Sequence, residues 1–157
     1  MNVYKKLESL GIALSEPAIP AASYVPFVRS GDLVFLSGHL AKKNSQTWEG
    51  RLVNGITTAQ GAEAARAVVV DLLGTLHKAI GDLNSLSRVI KLTCMVNSTA
   101  EFSDQHLVAN GASELLLEVF SERGVHARSA FGVAQLPLGA CVEIELIVEI
   151  KPVRYLD

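Results

Sequence analysis

A chain of 157 residues with 49% hydrophobic content can close one ordinary core without staples, so it reads as a single domain over 1–157. Fourteen basic and sixteen acidic side chains leave a formal charge of -2, and no Lys/Arg cluster marks a phosphate-binding face, which argues against nucleic acid as the main partner. His39, His77, His106, His126, Cys94 and Cys141 fall in no metal-ligand spacing, no stretch reaches membrane-spanning length, and the charged opening at 1–10 lacks a secretory apolar run. The expectation is a cytoplasmic protein with buried free thiols, no metal and no membrane contact.

Residues 14–22, with Pro17 and Pro20, read as an irregular lead-in, and regular structure is expected to begin near Tyr24. Residues 24–28 and 33–38 flank the turn signal Ser30-Gly31-Asp32 and predict a hairpin, with Ser37-Gly38-His39 at its far end. Residues 42–51 are polar around Trp48 and Gly50 and read as an exposed loop. Thr57-Thr58-Ala59-Gln60 matches a capping box. The helix it opens carries Ala64, Val68, Leu72, Leu76 and Ile80 every fourth residue, widened by Ala65, Val69 and Leu73, with Gly81 placed as its C-terminal stop. His77 rides on this helix as a surface or interface residue.

Alternation over 88–96 predicts a strand, with Val89, Lys91, Thr93 and Met95 on one face and Ile90, Leu92, Cys94 and Val96 on the other. A second helix over 109–123 uses Ala112, Leu115, Leu116, Val119 and Phe120 and stops at Gly124. The end of the chain is the most regular part. Val142, Ile144, Leu146, Val148 and Ile150 point one way, and Glu143, Glu145, Ile147 and Glu149 the other. Pro137-Leu138-Gly139 signals a turn, so residues 129–136 are expected to run back beside this strand as a hairpin.

The resulting order, β-β-α-β-α-β-β, predicts an α+β layer with a mixed sheet and two helices on one face. If Phe35, Met95 or Ile147 lie on the other face, it is too apolar for a monomer in water and implies a closed oligomer. Arg128 offers a planar, permanently charged fork suited to a carboxylate, and Glu143 a group that can hold or relay a proton from water. A solvent-facing ion pair is the plainer reading of the same residues.

Tyr24, Ser37-Gly38, Asn110-Gly111-Ala112-Ser113, His126-Ala127-Arg128-Ser129-Ala130, Leu136-Pro137 and Val142-Glu143-Ile144-Glu145, in this order, resemble the RidA (YjgF) family, long labelled endoribonuclease L-PSP, from about Tyr24 to Lys151. The spacing is closest to a longer, less characterised branch. The resemblance implies a chorismate-mutase-like fold, a homotrimer around a central β-barrel, and clefts between subunits. It implies hydrolysis of enamine or imine intermediates such as 2-aminoacrylate to 2-keto acids and ammonia, without a cofactor. In that scheme Arg128 grips the substrate carboxylate and Glu143 orients the attacking water, while Tyr24, Ser37, Asn110, Ser129 and Ala130 line the pocket. The family often has cysteine where this chain has Ala130, and glutamine where it has His39. A non-catalytic trimer that binds small carboxylates is therefore the alternative, and a ribonuclease the third reading. The partners implied are 2-imino and 2-keto carboxylates and further copies of the chain.

Overall fold

The computed structural model describes residues 2–17 and 22–151; of the lead-in expected at 14–22, residues 18–21 lie outside the described residues. The main elements are α1 (Val3–Ser9), β1 (Phe27–Ser30), β2 (Leu33–Leu40), α2 (Thr58–Ile80), β3 (Leu86–Asn97), α3 (Gln105–Phe120), β4 (Ala127–Val133) and β5 (Val142–Ile150). Five strands form one mixed sheet in the order β1-β2-β5-β3-β4.

Hydrophobic phase accounts for the long elements. On α2, Ala64, Ala65, Val68, Val69, Leu72, Leu73 and Leu76 are all buried, forming a wide apolar stripe. Thr57 and Gln60 close the capping box reciprocally, and Gly81 ends the helix at φ 77°, a left-handed conformation that costs glycine little. The expected apolar residues of α3 are likewise buried, and a short 3-10 turn carries the chain on to Gly124. All five inward residues of β5 are buried, with α2 packed against the strand.

Four expectations are corrected. There are three helices, not two: Asn2 Oδ1 accepts from the backbone N–H groups of Tyr4 and Lys5, and α1 buries Val3 and Leu7 in the core. Seven residues are too few for a helical period to stand out. His77 accordingly packs within the chain, its Nδ1 3.1 Å from the Tyr4 hydroxyl. The stretch 42–51 is not a plain loop: Lys42–Lys43 pairs with Gln46–Thr47, and Trp48 packs against the core.

The hairpin expected between β4 and β5 does not form. β4 pairs in parallel with β3, Arg128 opposite Leu92, while β5 inserts antiparallel between β2 and β3. The turn at Pro137–Gly139 is held by another segment, with Gly50 N–H donating to Gly139 O and Cys141 N–H to Trp48 O, so it leads the chain across β3 instead of reversing it. The last correction concerns β3, where register shifts between Leu86 and Arg88 and between Val89 and Lys91 change the phase. Val89 is thus buried on the same side as Leu92, Cys94 and Val96.

The helices cover one face of the sheet. The other carries Val28, Phe35, Ile147, Met95 and Phe131 among charged neighbours, and Val28, Phe35 and Phe131 are exposed. Cys94 and Cys141 are buried free thiols, as expected. No helix among the described residues is long and apolar enough to cross a membrane.

Candidate active site

Arg128 leaves the edge strand β4 on the helix side, where its register partner Leu92 is buried. Its Nη1 donates to Asn110 Oδ1 at 2.9 Å and to Ser113 Oγ at 3.1 Å, and its Nη2 donates to His106 O at 3.2 Å, all on α3. Three of its five N–H groups are held this way, leaving two without a protein acceptor among the described residues. The guanidinium is thus fixed in place with donors to spare. Asn110 and Ser113 reach it together because residues three apart share a helix face.

Ala130, two residues along, lies on the same face and packs against the core opposite Cys94. Burial pushes the Cys94 thiol up to about 12, the nearby Arg128 pulling weakly the other way. Cys94 stands one strand from Ala130 as an enclosed free thiol, and its burial disfavours the reactive thiolate.

On the open face Glu143 comes close to the Ser37-Gly38 stretch of β2. Glu143 projects from the open face of β5, opposite Met95, and lies over Gly38. A Cβ on Gly38 would come within 2.1 Å of Glu143 Oε1, so glycine is needed for the carboxylate to sit there. Burial, aided by repulsion from Glu145, raises the Glu143 carboxyl above its ordinary value. The irregularity between Leu36 and His39 sets Ser37 beneath the preceding segment: its hydroxyl donates to Val25 O at 2.6 Å and its N–H to Pro26 O at 3.0 Å. Those bonds pin the stretch that carries the exposed Tyr24.

Arg128 and Glu143 do not meet within one chain. Arg128 and Asn110 lie on the helix side at the sheet edge, Glu143 lies on the open face, and β3 runs between their strands. Ser129 joins neither: it faces the open side and accepts from Lys91 Nζ at 2.7 Å. His39 turns to the helix side, bonding Ser37 O through Nδ1 and Thr75 Oγ1 through Nε2, both at 2.8 Å. It borders a separate cavity of about 420 Å³ lined also by Ser15, Lys42 and Asp71.

Sequence reasoning missed Ser113 and His126 as site residues. His126 Nδ1 lies 2.6 Å from Gly124 O, and Nε2 lies 3.0 Å from Ser113 Oγ. The spacing from Asn110 to Ser113 was the available signal.

The family profile described as Endoribonuclease L-PSP matches residues 15–150. Protein TCP17 of Trypanosoma cruzi is 45% identical over 152 residues, 96% of this chain and 95% of that protein. The crystal structure of Atu1372 from Agrobacterium tumefaciens is 42% identical with a TM-score of 0.85, covering 95% of this chain and 94% of its own. RidA from the Antarctic bacterium Psychrobacter sp. PAMC 21119 is 29% identical with a TM-score of 0.59, over 86% of this chain and 94% of its own. With its sheet order, its Arg128 and Glu143 motifs and a profile match over most of its length, the chain belongs to the endoribonuclease L-PSP (RidA) family.

Proposed function

We propose that the chain is a cofactor-independent hydrolase of small 2-enamine and 2-imine carboxylates, acting at clefts between the subunits of a homotrimer. The observation that carries this reading is Arg128, anchored at three points on α3 with two N–H groups left over among the described residues. That is the arrangement a carboxylate fork needs, since bidentate pairing is strong only when the guanidinium is already oriented. RidA, the name of one structural relative, supports the same reading.

Glu143 supplies the complementary half. Its raised pKa makes the carboxylate a better proton acceptor than a free glutamate. Protonation of an enamine at its terminal carbon by solvent gives the iminium, and water then adds to C2 as Glu143 takes its proton, leaving a neutral carbinolamine. Return of that proton to nitrogen makes ammonia the leaving group, and as the C–N bond breaks Glu143 takes the hydroxyl proton, leaving the 2-keto acid, and passes it to solvent. An iminium carbon is already electrophilic, so orientation and a modest base are sufficient. Because Arg128 and Glu143 occupy opposite faces of one sheet, a ligand touching both draws them from different copies, and the exposed apolar open face gives those copies a reason to associate.

A second reading, a trimer that binds small carboxylates without turnover, is favoured by Ala130 and by the enclosure of Cys94. Generating 2-aminoacrylate and 2-aminocrotonate in situ with an amino-acid dehydratase and following keto-acid release separates the two. The hydrolase reading expects acceleration by wild type and none by Arg128→Ala with the assembly intact. Equal release with and without wild type, accompanied by binding of 2-ketobutyrate, would establish the binding reading instead.

A further inference from the structure

We infer that Ser113 and His126 are positioning residues that hold Arg128 in its ligand-ready orientation, and that they act as one unit. The inference rests on the reading above that Arg128 receives a substrate carboxylate.

Proton bookkeeping fixes the direction of each bond. Gly124 O can only accept, so His126 carries its proton on Nδ1 and donates across 2.6 Å. With the proton on Nδ1, Nε2 is the acceptor of this tautomer, and Ser113, 3.0 Å away, donates its hydroxyl proton to it. The lone pairs of Ser113 are thereby turned to Arg128 Nη1, which donates to them at 3.1 Å. A guanidinium has donors only, so Ser113 must turn lone pairs to it, but without an acceptor for its own proton the hydroxyl still rotates among the orientations that do so. His126 removes that freedom. The chain of bonds starts at a backbone carbonyl just after α3, passes through a ring ahead of β4 and returns to α3, so the arginine is referenced to both elements. Asn110 Oδ1 and His106 O fix the guanidinium from the same helix, and only Ser113 depends on a second side chain for its polarity.

The test uses the full-length protein and two keto acids, pyruvate and 2-ketobutyrate, titrated by calorimetry. In His126→Gln the amide oxygen reaches the place of Nε2 and can still take the Ser113 proton. In His126→Asn the shorter side chain can bond Gly124 O but not Ser113. The expected result is near-wild-type affinity for His126→Gln and a loss of about tenfold for His126→Asn and for Ser113→Ala, the tenfold step being about 1.4 kcal/mol. The Ser113→Ala/His126→Asn double variant should bind no more weakly than Ser113→Ala alone, because removing one link already breaks the chain. In imine hydrolysis KM should rise in His126→Asn and Ser113→Ala while kcat stays within about twofold, as expected when an interaction common to ground and transition states is weakened.

Losses that multiply in the double variant, or wild-type affinity in His126→Asn, overturn the inference. Arg128→Ala keeps the two claims apart. If it binds keto acids as wild type does, or if wild type binds neither, the carboxylate reading fails and this inference with it. If Arg128→Ala loses binding while Ser113→Ala does not, only the positioning role fails.

Discussion

His39 is a neutral structural histidine whose titration reaches the stability of the whole chain. Ser37 O accepts from Nδ1, and the buried Thr75 hydroxyl donates to Nε2, so both ring nitrogens are committed. Burial lowers its pKa, outweighing the Ser37 bond and the attraction of Asp71. The unfolded chain, where the ring titrates near its ordinary value of 6.5, therefore takes up this proton first as pH falls. Its contribution is complete above that value and is lost progressively as pH drops toward the lower folded value. The midpoint of urea unfolding should fall as the buffer is taken below about pH 6.5, and His39→Gln should flatten that slope. An unchanged slope in the variant would show that other groups set it. Glu143 works in the opposite sense: its folded pKa is raised, so ionising it destabilises the native chain as pH rises through the folded value. Glu143→Gln should therefore raise the melting temperature at neutral pH while abolishing turnover, the usual mark of a functional group held under unfavourable conditions. A lower melting temperature would show that the carboxylate contributes a stabilising contact. Residue type and motif singled out Arg128 and Glu143 as candidates, whereas the proton directions at Ser113 and His126 depend on bonds between elements that no local pattern encodes.

At the scale of elements, a close approach of α3 to α2 sets the geometry of the Arg128 site. Gly111 faces α2, where a Cβ would lie 1.9 Å from Ala62 O. Backbone cannot yield as a flexible side chain can, so Gly111→Ala must push α3 away and carry Asn110 and Ser113 with it. A loss of about 3 kcal/mol is expected in urea unfolding, at the upper end for overpacking, together with weaker keto-acid binding. Gly81→Ala meets nothing within 4 Å and is strained only by its positive φ, so about 1 kcal/mol is expected there, with binding unchanged. Equal losses at the two positions would contradict the packing argument. The same scale shows where a sequence is legible. Sustained periods announced α2, α3 and β5, because each must present one apolar face to a single core. The partner of β4 was not announced, since alternation states which face is buried but not which strand lies alongside. The turn after β4 was misread because its backbone groups bond to Trp48 and Gly50, far away in sequence.

For the whole molecule, the proposed assembly rests on the open face of the sheet. Phe35 and Ile147 are paired across β2 and β5, flanked by Val28 on one side and bordered by Glu145 and Glu149, a mixture suited to a closed contact with further copies. Phe35→Glu places a charge at the centre of that patch and should convert a three-chain species into monomer by light scattering, with hydrolysis lost as well. A variant that stays assembled would place the contact elsewhere. The apolar character of this face could be foreseen from alternation alone, but the separation of Arg128 from Glu143 could not, because it follows from the strand order. That separation is the basis of the central claim that one site takes residues from two chains. Arg128→Ala and Glu143→Gln subunits, each inactive alone, should be unfolded together, refolded as a mixture and assayed for keto-acid release. If each cleft takes Arg128 from one copy and Glu143 from its neighbour, random mixing restores about a quarter of the wild-type rate, since each intact residue has an even chance of being present. If a single chain supplies both residues, or if they serve no common site, the mixture remains as inactive as its parts.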